Sequence, residues 1–164
     1  VSVAGARGLM QLMPASAKHA AANSRLSYRP NDLNKPDYNM QLGMATLAEY
    51  LERWDGCYIL AIASYNAGPS NVRNWIETNG DPRDAGVDPI DWIESIPFPE
   101  TRNYVQRVLE NLQVYRNRLS NSDQRLVILS DLYGPNAGNL AAVRQSANAV
   151  PGTSAIGPET PSAQ

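Results

Sequence analysis

Residues 58–69 read Tyr-Ile-Leu-Ala-Ile-Ala-Ser-Tyr-Asn-Ala-Gly-Pro, an almost wholly apolar stretch that stops at Gly68-Pro69. A helix that is apolar on every side is buried in a domain, because none of its faces is suited to water. Glycine and proline end such a helix, since one permits a sharp exit and the other cannot continue the turn. The stretch therefore predicts a central helix over residues 58–67.

Helical periodicity also dominates the sequence on both sides of this stretch. Apolar residues recur at helical spacing in further segments, which predicts helices over residues 8–22, 37–54, 71–77, 89–95 and 100–119. Pro14 lies inside the first of these segments and predicts a break near Met13. No run of alternating Val, Ile and Thr lies between turn residues, so a sheet is not indicated. We therefore predict an all-α fold.

The length and composition suit one globular domain. The chain has 164 residues, of which 43% are hydrophobic and 18% are charged, and this supports a single core. We predict a folded domain over residues 1–119 and a C-terminal packing segment over residues 120–138, with a short helix near 126–132. Residues 139–164 are mostly small or polar and have little to bury, which predicts a disordered tail.

The charge and the residue counts argue against several classes of function. The formal net charge is -2, whereas a nucleic-acid-binding domain normally shows a basic excess. No apolar run approaches the roughly 20 residues that a membrane-spanning helix needs. Cys57 is the single cysteine and His19 the single histidine, so a His/Cys metal cluster is excluded. We predict no metal, no cofactor and no nucleic-acid partner, and a surface or packing role for His19.

Three polar clusters lie where a core would not favour them. The first surrounds Gln11 in residues 8–14, among Leu and Met side chains. The second is at the end of the central helix, in residues 63–69, where a tyrosine and an asparagine meet the backbone exit. The third, residues 93–104, places two carboxylates, an arginine and a tyrosine around a proline-rich turn. A buried polar side chain needs hydrogen-bond partners or a cleft, so each cluster is a candidate site.

Each cluster taken alone also has a purely structural interpretation. Gln11 could be a core amide whose hydrogen bonds are satisfied. Tyr65 and Asn66 could do no more than cap a helix end. Glu94 and Arg102 could form a solvated ion pair of little energetic value.

Taken together, the clusters resemble the catalytic domain of soluble lytic murein transglycosylases, the bacterial relatives of goose-type lysozyme. The resemblance covers residues 2–115, and several linked motifs in order are far more specific than one. It is carried by residues 5–14 (Gly-Ala-Arg-Gly-Leu-Met-Gln-Leu-Met-Pro), Asn39 with Gly43, residues 65–69, residues 94–98 (Glu-Ser-Ile-Pro-Phe) and residues 100–105 (Glu-Thr-Arg-Asn-Tyr-Val).

The resemblance implies a lysozyme-like helical domain with a glycan-binding cleft. Members of the family cleave the β-1,4 bond between N-acetylmuramic acid and N-acetylglucosamine, and they leave a 1,6-anhydromuramic acid end. One glutamate serves as acid and then as base, while the N-acetyl group of the substrate replaces a second carboxylate. The implied partners are peptidoglycan glycan strands and muropeptides. The implied setting is the periplasm or cell envelope, with the protein as a monomer.

The same resemblance assigns the site residues. The family's glutamate would fall about eight residues upstream of Val1, so the chain is expected to be N-terminally truncated and inactive as it stands. Ser2 and Tyr65 are expected to support that glutamate. The residues expected to contact substrate are Gln11, Met13, Tyr65, Asn66, Glu94 and Tyr104. Two alternatives remain open at this point: a peptidoglycan-binding module without catalysis, and a hydrolase of the goose-lysozyme type that leaves a reducing end.

Overall fold

The computed structural model describes residues 1–120 and 128–134, without the side chain of residue 129. Within these ranges the chain is helical, and an isolated β-bridge is its only extended pairing, so the all-α prediction is confirmed. The α-helices are α1 (Pro14–Asn23), α2 (Pro36–Arg53), α3 (Tyr58–Ala67), α4 (Pro69–Asn79), α5 (Pro89–Glu94), α6 (Pro99–Leu119) and α7 (Ile128–Tyr133). A short 3-10 helix, Pro30–Asp32, precedes α2.

Helix α3 is the centre of the larger core, as its apolar sequence predicts. Six consecutive residues of it are buried, from Ile59 to Ser64, and α2, α4, α6 and α7 all pack against it. The one polar side chain in that run is satisfied, because the Trp54 indole N–H donates to Ser64 Oγ at 2.8 Å. A buried hydroxyl without this partner would destabilise the core.

A smaller core joins α1 to the first half of α2. Its fully enclosed side chains include Ala17, Ala21, Leu33 and Leu42, each 0% exposed. Tyr65, at the end of α3, packs against the same cluster. The two cores therefore meet at the end of α3, and that meeting point carries the second polar cluster.

The prediction of a helix over residues 8–22 was wrong at its start. Helix α1 begins at Pro14, and the six residues before it form a looped turn. Gly8 and Gln11 have φ values of +71° and +49°, which a right-handed helix cannot contain. Proline at the first position of a helix is favourable, because the N–H that it lacks would have no partner there.

Helix α7 is attached to α6 by a buried carboxylate. Asp131 is 4% exposed, and it accepts hydrogen bonds from Gln113 Nε2 at 2.5 Å and from the Arg116 guanidinium. Leu132 lies in the larger core beside it. Residues 139–164 lie outside the described ranges, so the disordered tail and the boundaries of the three predicted segments stay predictions.

Replacement of Asp131 by Ala is expected to lower the free energy of unfolding by about 1–3 kcal/mol, because the hydrogen bonds that join α6 to α7 through this buried carboxylate are lost. Thermal unfolding monitored by circular dichroism measures the effect. Glu110→Ala is the matched control, since Glu110 is an exposed residue of the same helix α6. Equal losses in the two variants would contradict the anchoring role of Asp131.

Candidate functional site

The loop before α1 is a tight hairpin closed by backbone hydrogen bonds. Arg7 and Leu12 form an antiparallel bridge, with N–O distances of 2.9 and 3.0 Å. Between them, the Gln11 N–H and the Gln11 side-chain amide both donate to the Gly8 carbonyl, at 3.1 and 2.8 Å. Gln11 is exposed, and its side-chain amide lies against the backbone of its own loop. The interpretation of Gln11 as a buried core amide is therefore wrong.

Asn39 fixes this hairpin to helix α2. Its side chain is 0% exposed and makes three hydrogen bonds to backbone: Oδ1 accepts from Met10 N at 2.7 Å, and Nδ2 donates to the Arg7 and Leu33 carbonyls at 3.0 and 2.9 Å. Gly8 lies directly against it, because a Cβ added there would come within 2.3 Å of Asn39 Cγ. A glycine and an asparagine that lie 31 positions apart in the chain thus define the position of the loop.

Gly43 lets helix α2 approach the hairpin closely. A Cβ at this position would lie 2.6 Å from Met10 Cγ, a separation that requires the Met10 side chain to move. Met10 itself is half-buried and lines the cleft described below.

Replacement of Gly43 by Ala is expected to cost about 1–3 kcal/mol of stability, because overpacking displaces the hairpin. Alanine is the better helix former, so a gain in stability would show that the contact relaxes freely. Gly86→Ala is the matched control, since nothing lies within 4 Å of a Cβ added there. Chemical denaturation of both variants measures the difference.

A cleft of about 490 Å³ lies between the hairpin, α2, the end of α3 and the start of α6. It joins side chains from all three polar clusters of the sequence. Its lining comprises Ser2, Ala4, Ala6, Leu9, Met10, Gln11, Leu12, Met13, Ser16, Thr46, Tyr50, Tyr65, Asn66, Glu100 and Tyr104.

Tyr65 ties the end of α3 to the hairpin. Its hydroxyl donates to the Met10 carbonyl at 2.9 Å, across 55 positions of the sequence. Burial raises the pKa of the Tyr65 phenol, and the neighbouring Tyr104 and Tyr50 raise it further. The phenol therefore remains protonated at neutral pH, and its oxygen keeps lone pairs that can accept a hydrogen bond.

Asn66 and Tyr104 bring the start of α6 to the cleft. Asn66 Oδ1 accepts from Thr101 Oγ1 at 2.6 Å, so Asn66 joins α3 to α6 and does more than end a helix. Tyr104 is half-buried, and burial raises the pKa of its phenol. Both residues line the cleft, as does the exposed Glu100 from the first turn of α6.

Two further predicted residues, Ser2 and Met13, lie on either side of the hairpin and also line the cleft. Ser2 Oγ accepts from Ala6 N at 3.0 Å, which holds the turn that leads into the hairpin. Met13 is 43% exposed at the start of α1 and presents its thioether beside Gln11. An amide at the edge of a cleft can hydrogen-bond to polar groups of a ligand, and a thioether can pack against its apolar surface.

Glu94 lies outside the lining of this cleft. Its carboxylate accepts from Gln106 Nε2 at 2.6 Å, and its backbone carbonyl accepts from Arg102 NH1 at 2.9 Å. The side chains of Glu94 and Arg102 are therefore not an ion pair with each other. The carboxylate that lines the cleft is Glu100. It belongs to the third motif but was not among the residues predicted to contact substrate.

Sequence reasoning also missed Ser16, Thr46 and Tyr50. All three are on helices. Helical periodicity does not distinguish a side chain that lines a cleft from one that packs in the core. Within residues 1–120 and 128–134, no group of three or more His, Cys, Asp and Glu side chains is arranged to hold a metal ion. In the same ranges, no helix has the length and apolar character required to cross a membrane.

Two family models assign the helices and the cleft to the lytic transglycosylase class. The transglycosylase SLT domain family matches residues 1–86, and the soluble lytic transglycosylase helical domain family matches residues 95–123. Because the first match spans more than half of the chain, this chain belongs to the transglycosylase SLT family.

Two relatives agree with this assignment. The chain is 36% identical to the soluble lytic murein transglycosylase of Salmonella typhimurium, over 79% of this chain and 19% of the relative. It is 44% identical to a putative soluble lytic murein transglycosylase of Haemophilus influenzae, over 66% of this chain and 18% of the relative. The chain thus spans about a fifth of the length of these relatives.

Two solved structures share the fold. The 70 kDa soluble lytic transglycosylase of Escherichia coli superposes with a TM-score of 0.70 at 31% identity, over 83% of this chain and 21% of that one. An inactive mutant of the lytic transglycosylase Slt from Pseudomonas aeruginosa, in which a glutamate is replaced by glutamine, gives a TM-score of 0.63 at 40% identity, over 75% of this chain and 19% of that one.

Proposed function

We propose that the chain is the glycan-binding part of a peptidoglycan lytic transglycosylase. Its substrate is the β-1,4 bond between N-acetylmuramic acid and N-acetylglucosamine, and its product ends in 1,6-anhydromuramic acid. The observation that carries the proposal is the hydrogen bond from the Tyr65 hydroxyl to the Met10 carbonyl. It brings two motifs of the family together in one cleft that the third motif also lines.

The reaction requires one carboxylic acid that gives and then regains a proton. The acid protonates the glycosidic oxygen as the bond to C1 of N-acetylmuramic acid breaks. The resulting carboxylate removes the proton from the C6 hydroxyl, whose oxygen closes on C1. One C–O bond breaks and one forms, and the carboxyl group gives one proton and regains one, so no water is consumed.

Among the described residues, Glu100 is the only carboxylate that lines the cleft, and it is exposed. A general acid of this kind is enclosed in a largely apolar environment, whereas Glu100 is exposed to solvent. We therefore place the acid on a segment upstream of Val1, and we assign Glu100 to substrate binding. The inactive glutamate-to-glutamine mutant of the Pseudomonas aeruginosa relative supports the need for one such residue.

The cleft residues would then have different roles in positioning the acid and in binding the substrate. Tyr65 offers a protonated phenol whose oxygen can accept a hydrogen bond from the acid, and Ser2 holds the neighbouring turn. Gln11 and Met13 contact the sugar rings, while Asn66 and Tyr104 form the opposite wall. Glu94, which lies outside the cleft lining, would contact substrate only through the peptide stem. We further propose that the protein acts as a monomer in the periplasm or cell envelope.

Sedimentation with insoluble peptidoglycan tests the binding part of this proposal. The 164-residue chain is expected to co-sediment with the polymer and to release no soluble fragments above a buffer blank. Release of muropeptides by this chain would contradict the placement of the acid upstream. Failure of the folded chain to co-sediment would contradict the glycan-binding function itself.

A further inference from the structure

A second cavity, of about 280 Å³, opens between α1 and α2 beside the cleft. Residues from both helices form its walls, together with the first residue of α4. Its lining comprises Ala15, Ser16, His19, Thr46, Glu49, Tyr50, Arg53 and Pro69. None of the family motifs quoted above includes His19, Glu49 or Arg53, so the polar part of this cavity has no role in the proposed reaction.

A hydrogen-bond network holds the polar side chains of this cavity in place. Glu49 Oε1 accepts from Arg53 NH2 at 3.2 Å and Glu49 Oε2 accepts from Asn23 Nδ2 at 3.0 Å. His19 Nε2 lies 3.2 Å from Glu49 Oε1 and 2.9 Å from Asn23 Nδ2. The network links α1 to α2, so a ligand would meet groups that are already positioned, which lowers the entropy cost of binding.

The carboxylate at the centre of the network is ionised. Burial opposes ionisation of Glu49, but hydrogen bonds from His19 and Asn23 and the charge of Arg53 outweigh it, so the pKa of Glu49 is lowered. The charges of Glu49 and Arg53 are opposite and lie side by side, so this pair gives the cavity no excess of either sign.

The cavity adjoins the cleft. Ser16, Thr46 and Tyr50 line both spaces, so a polymer that leaves the cleft at these residues would next meet the cavity. The Ser16 hydroxyl has no hydrogen-bond partner among the described residues and is free to bind a ligand. Tyr50 is half-buried and contributes an aromatic wall to both spaces.

The chemistry of the walls suits a neutral, hydroxyl-rich ring. Sugar hydroxyls can donate to a carboxylate and accept from a guanidinium, which has donors beyond the one bond to Glu49. The apolar face of a sugar can lie against an aromatic ring such as that of Tyr50. The volume falls just below the range of about 300–1,000 Å³ that is typical for sites of drug-sized ligands, which limits the occupant to about one ring.

We propose that this cavity is an additional glycan subsite, which accepts one sugar ring of a strand that already occupies the cleft. The proposal rests on the glycan-binding function proposed above. The subsite makes affinity depend on the length of the glycan, because strands long enough to reach His19, Glu49 and Arg53 bind more tightly than shorter ones.

Calorimetric titration with β-1,4-linked N-acetylglucosamine oligomers of increasing length tests the proposal on the full chain. These probes carry no peptide and no charge, so they report on sugar contacts alone. The binding variants are Glu49→Gln and Arg53→Ala, each checked for an unchanged thermal unfolding profile. His19→Ala is a third variant, in case either of these unfolds, because His19 lines the cavity and does not line the cleft. The matched control is Glu52→Gln, because Glu52 is an exposed residue of the same helix that lines neither space.

For the unaltered chain, affinity is expected to rise with oligomer length and then to level off. In the Glu49 and Arg53 variants, the last rise should disappear, a loss of roughly tenfold for long oligomers, while short ones bind as before. Equal binding of long oligomers by these variants and by the control would overturn the subsite alone. No binding of any oligomer by the unaltered chain would overturn the proposed function together with the subsite.

Discussion

Replacement of Asn39 by Ala is expected to lower the free energy of unfolding by about 3–5 kcal/mol, the largest loss of stability foreseen for a single change in this chain. The substitution removes three hydrogen bonds at once. The Met10 N–H and the Leu33 carbonyl lose their partner, while the Arg7 carbonyl keeps only its bond from Leu12 N. Asn39 is fully buried, so water cannot replace these bonds without opening the small core.

The same change should also abolish glycan binding in the folded fraction. The Met10 carbonyl that accepts the Tyr65 hydroxyl belongs to the loop that Asn39 fixes, so a loosened loop deforms the cleft. Denaturant unfolding and peptidoglycan sedimentation measure the two effects. Asn71→Ala is the matched control, since Asn71 makes one bond to the Ala67 carbonyl and should cost only about 1 kcal/mol. Similar losses in both variants would contradict the role given to Asn39.

Replacement of Tyr65 by Phe is expected to reduce kcat by roughly 10- to 100-fold in a protein extended upstream to include the acid. The phenyl ring still fills the space, but the acid loses a hydrogen-bond partner, and the end of α3 loses its bond to Met10. Because the pKa of Tyr65 is raised, its phenol stays protonated through the neutral range. The unaltered protein should therefore show no loss of activity from ionisation of Tyr65 up to its ordinary pKa near 10.

Tyr28→Phe is the matched control, which separates the effect of Tyr65→Phe on kcat from its effect on stability. The Tyr28 hydroxyl donates to the Pro14 carbonyl at 3.2 Å and packs against the same small core, but it does not line the cleft. Each substitution removes one bond from a phenol to a backbone carbonyl, so both should cost about 1 kcal/mol of stability. Initial rates on solubilised glycan strands provide the comparison. Equal kcat values in the two variants would show that Tyr65 has only a structural role.

Local patterns predicted the helical part of this fold well. The apolar run of α3 has no face suited to water, and the stripe of α6 follows a helical period, so both elements were predictable without tertiary contacts. The start of α1 was not predictable in this way. Residues 8–13 have helical periodicity, but Gly8 and Gln11 have positive φ, and the loop is held by Asn39, a side chain far away in the sequence.

The site residues show the same limit. Gln11, Tyr65 and Tyr104 were selected from motifs, and the structure brings them into one cleft. The two carboxylates of the third motif could not be separated by sequence, since Glu94 and Glu100 lie on either side of a proline-rich turn. In the structure Glu100 lines the cleft, whereas the Glu94 carboxylate accepts a hydrogen bond from Gln106 on α6.

The most direct test of the central claim begins with extension of the chain upstream to include the glutamate that we propose as the acid. The extended protein is incubated with purified peptidoglycan, and mass spectrometry identifies the soluble products. Muropeptides that end in 1,6-anhydromuramic acid are the predicted result, and they should vanish when the upstream glutamate is replaced by glutamine. Products with reducing ends would contradict the account and indicate a hydrolase of the goose-lysozyme type. Binding without any product would indicate a module that holds the glycan strand and does not cleave it.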